Sequence, residues 1–183
     1  WKNIRTSDYV GICHYRRYPV NDNDVIMNEV EYEAILKEYD LITTKKLTLN
    51  FSYYDGYAAN HYRKDLDMTL DVIREKYPEY YDLVLERVHQ NHTYFENIII
   101  TNKELFDQYS EWLFTILFEI EHRIDLTDYD DYHKRVFGFI SEFLLMIWIE
   151  HNQLKVYECK IGMTAEKTET VDLKEQLSVF FQN

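Results

Sequence analysis

The run Asn97-Ile98-Ile99-Ile100, followed from residue 103 by a long amphipathic stretch, constrains the fold more than any other feature. Three consecutive isoleucines are β-branched and read as a buried strand. Leu105, Phe106, Tyr109, Leu113, Ile116, Leu117 and Ile120 then recur with the 3.6-residue period, which predicts a helix over 103–123. The same alternation extends along the chain. Residues 8–14, 41–44 and 153–161 read as strands, and 28–38, 61–76, 79–89 and 130–151 as helices. Pro78 separates two of these helices, because it disfavours helix at Tyr77 and has no N–H to donate. The second half of 130–151 is apolar nearly all round, so that helix is expected at the centre. Pro19 and residues 21–24 read as a loop. Residues 45–60, polar and aromatic without a period, read as another. After Gly162 a solvated loop and a short amphipathic helix over 171–181 are expected. Short strands separated by helices indicate a mixed α/β fold.

At 183 residues with 46% hydrophobic content, one domain over residues 1–183 with a buried core is the expectation. Twenty Lys+Arg against 33 Asp+Glu give a net charge of −13. That balance argues against nucleic acid as a partner, because phosphate-backbone binding relies on Lys and Arg. Cys13 and Cys159 form neither a CxxC pair nor a disulfide framework, which points to a reducing, cytoplasmic compartment. No uncharged apolar stretch is long enough for a transmembrane helix. The chain begins at Trp1 and reads as a fragment of a larger sequence.

The densest chemical feature is His14-Tyr15-Arg16-Arg17-Tyr18, directly after a predicted strand. Open α/β sheets place ligand sites at strand ends. Arginine forks bind phosphate bidentately, and tyrosine can stack on a base or sugar. The run therefore reads as a phosphate or sugar-phosphate contact; equally, its arginines could pair with the chain's many carboxylates. Asp22-Asn23-Asp24 is an acidic D-x-D that could hold a divalent cation. Asp24 could instead cap the following helix. His89-x-x-His92 lacks the further ligands of a zinc site. Tyr129-Asp130-Asp131 reads as helix capping. Glu142 interrupts an apolar helix half, where an unpaired carboxylate is costly. It is either a catalytic or substrate-binding group, or the partner of Arg135 or of an arginine in the 14–18 run. No G-x-S-x-G, Walker loop or G-x-G-x-x-G is present, so serine hydrolases, P-loop NTPases and dinucleotide enzymes lose support.

Trp1-Lys2-Asn3 and Tyr9-Val10-Gly11-Ile12-Cys13-His14-Tyr15-Arg16-Arg17-Tyr18 resemble the signature of the DUF4422 family. These are bacterial proteins of capsular and exopolysaccharide gene clusters, regarded as glycosyltransferases. Further ordered matches are Asp24-Val25-Ile26, His61, Lys76-Tyr77-Pro78-Glu79-Tyr80, Asn97-Ile98-Ile99-Ile100, Phe106-Asp107 with Trp112, Arg135-Val136-Phe137-Gly138-Phe139, and Glu142 with Trp148. The resemblance implies a GT-A-like mixed sheet flanked by helices and incomplete at its N-terminus, because the family usually carries a strand and helix ahead of Trp-Lys-Asn. It implies transfer of a sugar from a nucleotide-sugar donor to a cell-surface polysaccharide. Glu142 and His14 would be catalytic. Tyr15, Arg16, Arg17, His61, Asn97 and Arg135 would bind substrate, and Asp22 and Asp24 would hold Mn²⁺ or Mg²⁺. Partners would be the donor, a glycan acceptor, assembly proteins at the inner face of the membrane, and a second copy joined at the sheet edge. The family tends to have Arg where Phe143 stands, which would remove a charge from the site. A non-catalytic glycan- or partner-binding module is the alternative reading.

Overall fold

The computed structural model describes residue 2 and residues 7–14 and 16–163. Trp1, Asn3, Tyr15 and the expected helix at 171–181 lie outside the described residues. Five strands form one mixed sheet: β1 (Tyr9–Ile12), β2 (Arg17–Val20), β3 (Leu41–Thr44), β6 (Ile99–Asn102) and β7 (Val156–Met163). Their order is β1-β6-β3-β7-β2. Only the β3–β7 pair is parallel, with Leu41 opposite Val156 and Thr44 opposite Cys159. The other three pairs are antiparallel. A small ladder joins β4 (Leu47–Thr48) to β5 (His92–Thr93).

Successive side chains on a strand face opposite ways, and the two faces of this sheet are covered differently. Leu41 and Ile99 join the main core. Ile42, Ile100 and Cys159 turn to the other face, against Tyr32, Ile35 and Leu36 of α1 (Glu29–Leu36). The main core is built by α2 (Tyr53–Asn60), α3 (Arg63–Lys76), α4 (Pro78–Val88), α5 (Lys103–Arg123) and α6 (Val136–His151). Helix α6 is buried almost all round, as its composition predicts, and runs through the centre.

Several local expectations change. Residues 45–60 are not all loop: Ser52 accepts from the Asp55 N–H at 3.1 Å and starts α2. Pro19 lies inside β2, an edge strand, where its missing N–H costs little. Gly162 does not end β7; a Cβ there would lie 2.5 Å from Val20 Cγ1, so the residue permits β2 to lie close. Asn28, not Asp24, caps α1, in a reciprocal box with Glu31. Asp130 caps the turn ahead of α6 by accepting from the His133 N–H. Phe143 is buried in the core, where it stacks on Tyr53 with centroids 4.3 Å apart.

Candidate active site at one end of the sheet

The end of β1, the start of β2, the end of β3 and the start of β6 meet at one end of the sheet, as the registers require. The turn Phe95-Glu96-Asn97 leads into β6 there. Thr44 Oγ donates to the Phe95 carbonyl at 3.1 Å, and Thr43 Oγ to the Ile98 carbonyl at 2.6 Å, so β3 pins both ends of the turn. Between the pins, Glu96 (φ 81°) and Asn97 (φ 49°) both adopt the left-handed conformation. That region is sparsely populated by residues with a Cβ, and such residues cluster at functional sites.

Three contacts hold the middle of the turn. The Glu96 N–H donates to Glu142 Oε1 at 2.9 Å. Arg17 Nη1 pairs with Glu96 Oε1 at 2.8 Å. Asn97 Nδ2 donates to the Gly138 carbonyl at 3.0 Å. Glu96 Oε2 and Asn97 Oδ1 are buried without hydrogen-bond partners among the described residues.

Two cavities flank the turn and share Phe95. The inner one, about 50 Å³, is lined by Tyr53, Tyr57, His61, Phe95, Phe139 and Glu142. The outer one, about 290 Å³, is lined by Thr44, Lys45, Phe95, Glu96, Cys159 and Lys160. Burial pushes the Glu142 carboxyl up to about 7; the Glu96 N–H and the charges of Arg135 and Arg17 act against that shift, and the Glu96 charge adds to it. Glu142 makes no ion pair among the described residues, so the simple salt-bridge reading does not hold. Burial pushes the His61 imidazole down to about 4, reinforced by His133 and Arg135. Its ring stacks on Phe139 at 4.1 Å. His61 Nδ1 and Tyr57 Oη are buried without hydrogen-bond partners among the described residues. Buried polar atoms left unpaired are rare in folded proteins and mark sites of strain or chemistry.

His61, Asn97, Arg135 and Glu142 are thus brought together around the first half of α6, with Arg17 joined through Glu96. The Arg135 guanidinium lies over the Phe139 and Tyr132 rings, 5.4 and 5.9 Å from their centroids. His14 is exposed at the end of β1, and its carbonyl accepts from the Arg17 N–H at 3.2 Å. Arg16 is partly buried beside Arg17. Tyr15 is outside the described residues. Asp22 and Asp24 sit in the turn after β2, and the Lys160 that Asp24 meets also lines the outer cavity. Asp24 pairs with Lys160. Among the described residues no group of three or more His, Cys, Asp and Glu side chains converges. A carboxylate neutralised by lysine, with no third donor, does not fit a divalent cation.

Glu96, Tyr57, Lys45 and Lys160 are the residues that sequence reasoning missed. Tyr57 was reachable through the Ser52-x-x-Asp55 capping pattern, which announces α2. Glu96 carries no signal beyond its place beside Asn97.

Among the described residues no helix is long and apolar enough to cross a membrane. No curated protein matches the chain. The fold is similar to the apo structure of WbbM, a bifunctional glycosyltransferase, with a TM-score of 0.78 at 29% identity. That match covers 92% of this chain and 35% of the WbbM chain, so this chain spans about a third of that protein's length. A family model described as a domain of unknown function matches residues 1–153, and with most of its length so matched the chain belongs to the DUF4422 family.

Proposed function

We propose that this chain is a glycosyltransferase domain that moves a sugar from a nucleotide-sugar donor to a hydroxyl of a cell-surface polysaccharide. The observation that carries this reading is the buried Glu142 carboxyl lining one cavity with His61 Nδ1 and Tyr57 Oη, two polar atoms without partners among the described residues, and burial pushes that carboxyl up to about 7. A general base works best with its proton affinity near the working pH. Glu142 takes the acceptor proton as that oxygen forms the glycosidic bond and the bond from the sugar to the diphosphate breaks. Arg17, with Arg16 and His14 beside it at the strand ends, meets the negative charge gathering on the departing diphosphate. His61, held neutral, and Asn97 contact sugar hydroxyls. The likeness to WbbM supports the reaction class, and a GT-A-like arrangement of donor at the strand ends accords with the site's place on the sheet. No step is routed through a metal ion.

The small inner cavity favours a second reading, a glycan-binding module without catalysis, because about 50 Å³ does not admit a sugar ring. The two readings separate in one experiment. The chain is incubated with UDP-, GDP- and CMP-sugars and a glycan acceptor, with and without Mn²⁺, and transfer is measured. The enzyme reading expects turnover with one donor class, reduced about 10²–10⁴-fold by Glu142→Gln, in line with loss of a general base. No turnover with any donor, alongside retained glycan binding, selects the module.

A further inference from the structure

Glu142 is the best-placed proton acceptor, yet it lines the smaller of the two cavities beside the turn and not the larger. Glu96 helps line the larger cavity, and its N–H donates to Glu142, which lines the smaller one. The division between the two spaces is therefore the turn itself.

The construction of that turn is uneven. Its ends are fixed to β3 through the Phe95 and Ile98 carbonyls. Its middle is two left-handed residues, each with a buried oxygen that no donor among the described residues satisfies. A buried acceptor left without a donor costs free energy, so these two oxygens weaken the closed arrangement. The side-chain contact holding Glu96 is the Arg17 guanidinium, a group suited to exchange a carboxylate for a phosphate because both offer two oxygens to its fork.

We propose that the two cavities are halves of one ligand site, divided by Glu96 and Asn97, and that a phosphate group taking Arg17 from Glu96 opens the division. The proposal rests on the reading of Arg17 as a phosphate contact given above and deepens it. Glu96, released from Arg17, swings between the fixed points at Phe95 and Ile98. Its N–H leaves Glu142, and the Glu142 carboxylate then faces the joined space. Glu96 is a positioning residue: it keeps the carboxylate shut away until an anionic ligand is seated. The ligand class is a phosphate-bearing compound whose hydroxylated part extends past Phe95 toward Glu142.

Hydrogen exchange of the Glu96 amide reads the division directly, because that N–H is bonded to Glu142 only while the turn is closed. Inorganic pyrophosphate is the probe, with its binding followed separately by calorimetry. In the unaltered chain, saturating pyrophosphate is expected to speed exchange at Glu96 at least tenfold. In Glu96→Gln, which weakens the Arg17 contact, the amide exchanges faster without any ligand. Arg17→Ala does the same and abolishes the pyrophosphate effect. Pyrophosphate that binds but leaves the Glu96 amide equally or better protected overturns the opening. A Glu96→Gln amide as protected as the original overturns the latch. Absence of pyrophosphate binding removes the phosphate trigger and counts against the phosphate role of Arg17; the Glu96→Gln result still decides whether the Arg17 contact holds the turn closed. Transfer activity does not enter any of these readouts, so failure of the latch and failure of the enzyme reading remain distinct.

Discussion

Glu142 and His61 face the same inner cavity, and burial moves their proton affinities in opposite directions. Between about 4.5 and about 7 the folded chain keeps a proton on Glu142 that the unfolded chain has released. Its contribution to stability is therefore complete at low pH and is lost as pH rises through about 7. The full shift is worth at most about 3 kcal/mol. Glu142→Gln should match the original near pH 4 and exceed it in stability at pH 8 by up to that amount, measured by urea unfolding at both values. An equal difference at the two pH values would refute the assignment. His61 works the other way: its folded-state proton affinity is depressed, so its contribution is present above about 6.5 and lost as pH falls toward about 4. His61→Phe should flatten the acid limb of the stability profile between those values. In the unaltered chain the two titrations oppose one another, so only the single variants resolve them. Tyr129 offers a third test. Its hydroxyl donates to the buried Asp65 carboxylate at 2.6 Å, and Tyr129→Phe leaves that group unpaired at a cost of about 1–3 kcal/mol.

At the scale of elements, the sequence shows most clearly what repeats. Helix α5 was legible because seven apolar residues keep one period, and β6 because three isoleucines stand together. Helix α2 was not, since Tyr53, Tyr54, Gly56 and Tyr57 follow no stripe; its start is written only in Ser52 and Asp55. The far end of β7 was obscured because Gly162 reads locally as a stop, whereas its reason is the approach of Val20 on a strand 142 positions earlier. Such long-range reasons have no local signature. For the site, Glu142, Asn97, Arg17 and His61 were legible as unusual polar residues in ordered matches, but their meeting point was not: it depends on a turn whose key residue, Glu96, carries no motif. Gly162→Ala should cost about 1–3 kcal/mol by overpacking against Val20. Val20→Ala in the same chain should restore part of that loss. Additive losses in the double variant, seen in thermal melts, would show that the two side chains do not meet.

Across the whole molecule, α1 covers one face of the sheet and five helices the other. The sheet order gives β7 a double task. It is the parallel neighbour of β3 through residues 156–159 and the antiparallel neighbour of β2 through residues 160–163. Among the described residues, strand β2, which carries Arg17, has no other partner strand. The family match stops at residue 153, three residues before β7 begins. A boundary drawn from likeness therefore falls inside the folding unit. A chain ended at Gln153 should strip β3 of one neighbour, set β2 adrift with its arginine, and present a bare strand edge open to self-association. It is expected to aggregate on expression where the chain through Met163 stays in solution. Anyone dissecting a longer relative into pieces would, by cutting where the family match ends, remove the strand that holds Arg17 in register with the rest of the sheet.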